Sequence, residues 1–224
     1  YAFLLFVIGL GVIPTLAFDY KMLFVNILLL FFFRKIYSIK SLKATYEKLF
    51  DSGFWLGILF MIAPFSVLFF IMIYATVVLF LKVTVRTLLI PILGFITPII
   101  IYFTYCFYTD NTALFLELFE VSMHFDFSFY NTPFYFISML LFLVFALVSI
   151  VARTGRVFSV NNKFKRSWAL LLMHLFVAVV FVGILKERNG TELIAVLFPA
   201  TIIIANWLQF IEKRWITDMI LSFF

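Results

Sequence analysis

Between Gly53 and Leu81 the chain carries no charged residue, and Ala63-Pro64 interrupts the middle of this apolar run. A helix rises about 1.5 Å per residue and a bilayer core is about 30 Å thick, so about 20 residues make one comfortable crossing. The run is therefore too long for one crossing and short for two. Pro64 lacks an amide hydrogen and clashes with the preceding turn. It either kinks one helix or opens a second at its first turn, where the missing donor costs least.

A membrane is the setting that the rest of the chain demands. Hydrophobic residues make up 66% and charged residues only 12%, with a mean hydropathy of +1.18; soluble domains carry about 25% charged residues. Further apolar segments lie at Tyr1–Ile13, Met22–Phe33, Leu88–Tyr108, Phe134–Ala152, Trp168–Leu185 and Leu193–Ile211. Tyr1 already lies inside an apolar run with no initiator methionine, which reads as the end of a spanning helix whose amino-terminal part is missing. Tyr1–Ile13 has neither the charged lead nor the small-residue cleavage site of a signal peptide.

Loop charge chooses between the kink and the hairpin. Arg34, Lys35, Lys40, Lys43 and Lys48 crowd one connection, and Lys82 and Arg86 another. A single crossing at Gly53–Leu81 would put these on opposite faces, against the tendency of basic residues to stay in the cytoplasm. Two crossings put them on the same face, where Arg153, Arg156, Lys163, Lys165 and Arg166 and the tail with Lys213 and Arg214 join them. The inside then holds 14 of the 17 basic residues and 4 of the 11 acids. The expected fold is all-α: one transmembrane helical bundle over residues 1–224, with about eight crossings, a hairpin of two short helices broken at Pro64, and both ends of the sequence in the cytoplasm of a bacterial inner membrane.

Pro91 and Pro98, flanking Gly94, predict a bent helix whose freed carbonyls need partners within the protein, and Pro199 does the same in the last span. Ser41–Phe50 places Leu42, Tyr46, Leu49 and Phe50 on one face with Lys40, Lys43, Glu47 and Lys48 largely opposite, the pattern of a helix lying on the membrane surface. Thr112–Phe125 has the same character with acids, and the terminal stretch WITDMILSFF is a third such segment. The single cysteine, Cys106, excludes an intrachain disulfide and reads as a buried or lipid-facing side chain.

Few groups are available for chemistry. Asp19, Asp110, Glu117, Glu120 and Asp126 with His124 form the outer cluster, and carboxylates of this kind serve general acid-base work or a divalent ion. Glu117, Glu120 and His124 share a helix face by spacing, which also describes the wet side of a surface helix. Asn26, His174, Asn206 and Gln209 are polar residues inside spans, where hydrogen bonds between helices account for them as well as function does. The basic connections suit anionic headgroups, and also a ribosome or an acidic protein. Neither GxxxxGK[ST] nor GxGxxG occurs, so no nucleotide-driven motor and no cofactor are expected.

The run FFRKIYSIKSLKATYEKLFDSGFWLGILFMIAPFSVLFFIMIYATVVLF, followed by VTVRTLLIPILGFITPIIIYF, resembles an uncharacterised family of flavobacterial multi-pass inner-membrane proteins, sometimes mislabelled as a carotene monooxygenase. That resemblance implies no activity, and two histidines cannot build an iron-oxygenase site. More loosely, the order GFWLGILFMIAP, FSVLFFIMIYATVVLF, LKVTVR, LLIPILGFITP is similar to the membrane core of lipid-linked glycosyltransferases of the GT-C type. Those enzymes carry an acid in the first outer loop, for which Asp19 is the nearest stand-in, and a Lys-Pro break where this chain has Ala63-Pro64.

The leading expectation is a non-catalytic integral subunit or scaffold of an inner-membrane assembly for protein export or envelope biogenesis, its partners being lipids and other integral membrane proteins. A GT-C-like transferase and a small-solute transporter are the alternatives. The transporter would want a charge within its spans.

Overall fold

The structure, a computed structural model, describes residues 2–12, 20–119, 133–157, 162–185 and 190–209, without the side chains of 12, 133–139, 141 and 156. Every regular element among these residues is helical: α1 (Ala2–Val12), α2 (Tyr20–Ser38), α3 (Thr45–Ile62), α4 (Phe70–Phe80), α5 (Val85–Tyr108), α6 (Thr112–Glu117), α7 (Pro133–Val157), α8 (Asn162–Ile184) and α9 (Ile194–Leu208), with short 3-10 turns between some of them. Tyr20–Ser41, Val85–Tyr108, Asn162–Ile184 and Thr191–Leu208 are long and apolar enough to cross a membrane; Ala2–Gly11, Pro64–Phe80 and Phe142–Gly155 are shorter apolar helices. The chain divides into two compact units, one of Tyr20–Phe125 with Gly183–Lys186, the other of Tyr1–Asp19, Asp126–Val182 and Glu187–Phe224.

In the first unit the side-chain register gives each helix its direction. Lys35 meets Asp51 and Phe31 stacks on Trp55, so α2 and α3 run antiparallel. Gly53 abuts Pro91 while Gly57 abuts Phe95 and Pro98, so α3 and α5 run parallel. Phe70 packs on Phe95 with ring centroids 4.9 Å apart, and the Tyr74 hydroxyl lies 3.4 Å from the Leu88 carbonyl, so α4 runs back against α5. Two parallel helices require a return between them, and α4 supplies it. The basic connections before α3 and before α5 consequently lie at the same end of the unit.

The break falls at Ala63-Pro64. Ala63 is extended (φ −135°, ψ 91°), and Pro64 opens a 3-10 segment, Pro64–Phe69, that leads into α4. Neither arm is as short as the apolar run suggests. At 18 residues, α3 rises about 27 Å. The second arm gains length because six of its residues are in the steeper 3-10 form, and with the 11 residues of α4 it rises about 28 Å.

The first arm reaches this length by beginning at Thr45, which corrects the expected surface helix over Ser41–Phe50. Ile39–Ser41 is a 3-10 turn, Leu42 and Ala44 are left-handed (φ 57° and 48°), and Thr45–Phe50 are the opening turns of α3. The polar side chains of this stretch are tied to the end of α2. Lys35 Nζ donates to Asp51 Oδ2 at 2.6 Å, and Lys48 Nζ donates to the Ser38 carbonyl and to Ser41 Oγ. Leu49 and Ser52 are buried beneath them.

Helix α5 is continuous through both prolines. Thr84 caps it reciprocally with Thr87, each accepting from the other's amide, so two first-turn donors are satisfied. Its buried face is Thr87, Pro91, Gly94 and Pro98, four positions on one side of a 3.6-residue repeat. There the backbones of α3 and α5 touch: a methyl on Gly53 would overlap the Pro91 carbonyl, on Gly57 the Phe95 carbonyl, and on Gly94 the Phe50 carbonyl. Small residues permit this approach, and in lipid such close van der Waals packing is what holds helices together. Helix α6 closes the opposite end, with Phe115 against Tyr102 and Phe103 and Phe119 against Phe60.

In the second unit α9 is the central helix. Leu5 of α1 packs with Ile204, Ala205 and Leu208 of α9, and Gly9 lies against Leu197, so these helices run antiparallel. Helix α7 packs on α9 as well. Trp168 of α8 donates its indole N–H to Thr154 Oγ1 of α7 at 3.2 Å, and His174 of α8 lies against the Phe198 ring of α9. The stretch Arg153–Arg166, expected as a loop, is largely helix, because α7 continues to Val157 and α8 begins at Asn162.

Candidate functional site

Two places gather polar groups. The first is the basic end of the Tyr20–Phe125 unit. The Lys35–Asp51 pair is about one third exposed on each side, where solvent screens an ion pair to roughly 0–1 kcal/mol. Changing Asp51→Asn is therefore expected to lower the unfolding midpoint in detergent only slightly, as thermal denaturation would show. Lys48 is spent on Ser38 and Ser41. Arg34, Lys40, Lys43, Lys82 and Arg86 are exposed, and no described residue pairs with their side chains. Arg86 lies in the first turn of α5, and Lys163 and Lys165 in the first turn of α8, followed by Arg166. A cation there opposes the helix dipole by roughly 0.3–1 kcal/mol at most, so helix electrostatics do not account for the basic residues at either position.

The second place is the interior of the other unit. Arg153 was expected in a basic connection exposed to lipid headgroups or a partner and is instead buried, its guanidinium 5.3 Å from the centre of the Phe164 ring. The physical reason is the extension of α7, which carries Arg153 into the packing between α7 and α8, where a desolvated cation gains from an aromatic face. His174 is fully buried in the middle of α8. Thr191 and Glu192 are buried in the 3-10 turn before α9, which follows Gly190 at φ 87°. Glu192 is not among the acids that the sequence pattern singles out. The Asn189-Gly190 dipeptide, which favours a tight turn, was the available sign that the next residues tuck inward.

The remaining candidates are distributed differently from the expected outer cluster. Glu117 is exposed at the end of α6; Asp19, Glu120, His124, Asp126, Lys213 and Arg214 lie outside the described residues. Arg156 is in α7. Asn26 donates to the Met22 carbonyl and Asn206 to the Ile202 carbonyl, each one turn back on its own helix, while Gln209 ends α9 exposed. Ser52, Thr76, Thr97, Thr104, Ser149 and Thr201 also bond to carbonyls of their own helices. Cys106 is buried. Among the described residues no group of three or more His, Cys, Asp or Glu side chains is placed to hold a metal ion.

Long apolar helices, a backbone seam of glycines and polar side chains turned onto their own carbonyls define a helical membrane protein. The chain belongs to the family described as "Family of unknown function (DUF6427)", which matches residues 1–224. Comparison with curated proteins and with solved structures gives no match.

Proposed function

We propose that this chain is a non-catalytic integral subunit or scaffold of a bacterial inner-membrane assembly of the protein-export or envelope-biogenesis kind. In this reading it crosses the membrane about eight times, with both ends of the sequence in the cytoplasm. The observation that carries it is the mounting of α5. One face is fixed to α3 by backbone contact at Gly53, Gly57 and Gly94, and most of the rest of the helix is not buried within the chain. Leu89, Leu93, Ile96, Ile100 and Phe107 recur at helical spacing on the opposite, open face. A rigid helix offering an apolar wall along its length is suited to packing against helices of another membrane protein.

At 24 residues, α5 rises about 36 Å, more than the hydrocarbon core, so both ends reach headgroup depth. The open Tyr105, Phe107 and Tyr108 at its end fit the interfacial belt of aromatic residues. A photo-crosslinking residue at Ile96 or Ile100, activated in intact membranes, is expected to yield a discrete adduct with one membrane protein. The same protein should co-purify stoichiometrically in mild detergent. Adducts to lipid alone, with a clean monomer in several detergents, would sink the proposal.

A second reading, a relative of GT-C lipid-linked glycosyltransferases, is favoured by Glu192, a carboxylate almost fully buried where α9 begins. It predicts loss of a cell-surface glycan on Glu192→Gln at unchanged protein level. Unaltered glycans in a full deletion would dismiss it.

A further inference from the structure

We infer that the basic end of the Tyr20–Phe125 unit is a docking surface for anionic phospholipid, assembled from two connections that the hairpin brings together. The first connection is strongly basic by itself, and the second adds two cations to it. Arg34 lies one turn before the end of α2 and Lys40 just beyond it, with Lys43 in the turn before α3. Lys82 and Arg86 flank the start of α5. Helix α4 packs against Ile39–Ser41 as it returns, which carries the Lys82 connection to the Lys40 side. The parallel course of α3 and α5 sets the two starts at one level.

Three features identify the occupant. The first is charge: all five side chains are exposed and none is paired by a described residue. Among the acids of these connections, Asp51 is taken by Lys35, leaving Glu47 against them. The second is the apolar company they keep. Leu42 is 62% exposed and Val85 71%, with Tyr46 and Val83 also open. Leu42 is held outward by a left-handed turn (φ 57°). An acidic soluble partner has no use for isolated aliphatic side chains standing among cations, whereas a bilayer interface takes both, the methyl groups entering the acyl boundary and the ammonium and guanidinium groups meeting phosphodiesters. The third is depth: Lys40 lies at the end of one spanning-length helical stretch, with Arg34 reaching from about two turns inside it, and Arg86 is in the first turn of another, so the long side chains reach the level of headgroup phosphates.

The cations Lys35 and Lys48 are not part of this surface. Their ammonium groups hold α2 to α3. The inference is independent of whether a protein partner exists, since it concerns what the isolated chain retains.

The test uses the full chain, purified in mild detergent and incubated with equal amounts of phosphatidylglycerol and phosphatidylcholine. Retained lipid is counted by mass spectrometry after washing. The wild-type chain is expected to retain phosphatidylglycerol in preference. The variant carrying Lys40→Gln, Lys43→Gln, Lys82→Gln and Arg86→Gln should lose that preference at least about fivefold while staying monodisperse, because all four side chains are exposed. Lys163→Gln with Lys165→Gln and Arg166→Gln removes comparable charge from the other unit and should leave most of the preference in place. Equal retention of the two lipids by the wild type overturns the inference, as does a preference that survives in the fourfold variant. An equal loss in both variants, which would mean that net charge alone is being read, overturns it too.

Discussion

Gly53→Val is expected to destabilise the Tyr20–Phe125 unit by more than about 3 kcal/mol, beyond the ordinary cost of overpacking a core. The obstacle is backbone, since even a single methyl would overlap the Pro91 carbonyl and approach the Phe95 amide. No rotamer change relieves such a clash, and α3 and α5 must separate. Separation strips Gly57 and Gly94 of their contacts together with Gly53, so the loss is cooperative. Gly57→Val and Gly94→Val should behave alike, and any two combined should cost far less than the sum, because the first change has already opened the seam. Gly155→Ala is the control: nothing lies within 4 Å of the added methyl, and a helical glycine replaced by alanine gains roughly 0.5–1 kcal/mol. Unfolding of purified protein in graded denaturing detergent would measure all of these. A seam variant as stable as wild type would show that the two backbones are not in contact.

Phe69→Ala is expected to be the second most damaging change, at about 3 kcal/mol. Phe69 is fully buried where the 3-10 segment meets α4, with its ring edge-on to Phe32 and Phe33 at 5.9 and 5.5 Å. In a bilayer the unfolded helix is already out of water, so transfer from water contributes little. What is lost is dispersion and aromatic packing, which places the cost at the lower end of that for a soluble core. Because these contacts fasten the returning arm to α2, the damage should appear as faster proteolysis near Pro64 as well as a lower midpoint. Ile71→Ala, on the open side of α4, should cost much less in both measurements.

The parts of the fold legible in the sequence are those that a single residue type enforces. Pro64 marks the break because an imino acid cannot continue the preceding turn, and the break is where the proline puts it. The shared end of the two basic connections was legible from charge alone, and the register of α3 with α5 agrees with it. What misled was the use of charge as a boundary. Glu47, Lys48 and Asp51 seemed to end the membrane helix at Gly53, yet α3 runs through them because Lys35 neutralises Asp51 and Ser38 and Ser41 receive Lys48. Arg153 misled in the same way, being covered by Phe164. These pairings lie between helices, and no local pattern announces them. The glycines of GFWLG were visible, but not their partners: that Gly94 and Pro91 complete the seam depends on the register between two helices. As for candidate groups, the burial of Glu192 and His174 comes from packing around α9, which periodicity does not report.

Ala63-Pro64 turns the chain back, and the connections before α3 and before α5 lie at one end of the unit; the proposed topology puts that end on the cytoplasmic side. Single cysteines at Lys43→Cys, Val83→Cys and Asn111→Cys test it most directly, since Cys106 is buried and all three positions are exposed. A membrane-impermeant maleimide applied to intact cells is expected to label Asn111→Cys, and to label Lys43→Cys and Val83→Cys only after the inner membrane is opened. Labelling of Lys43→Cys and Val83→Cys from opposite sides would contradict the hairpin.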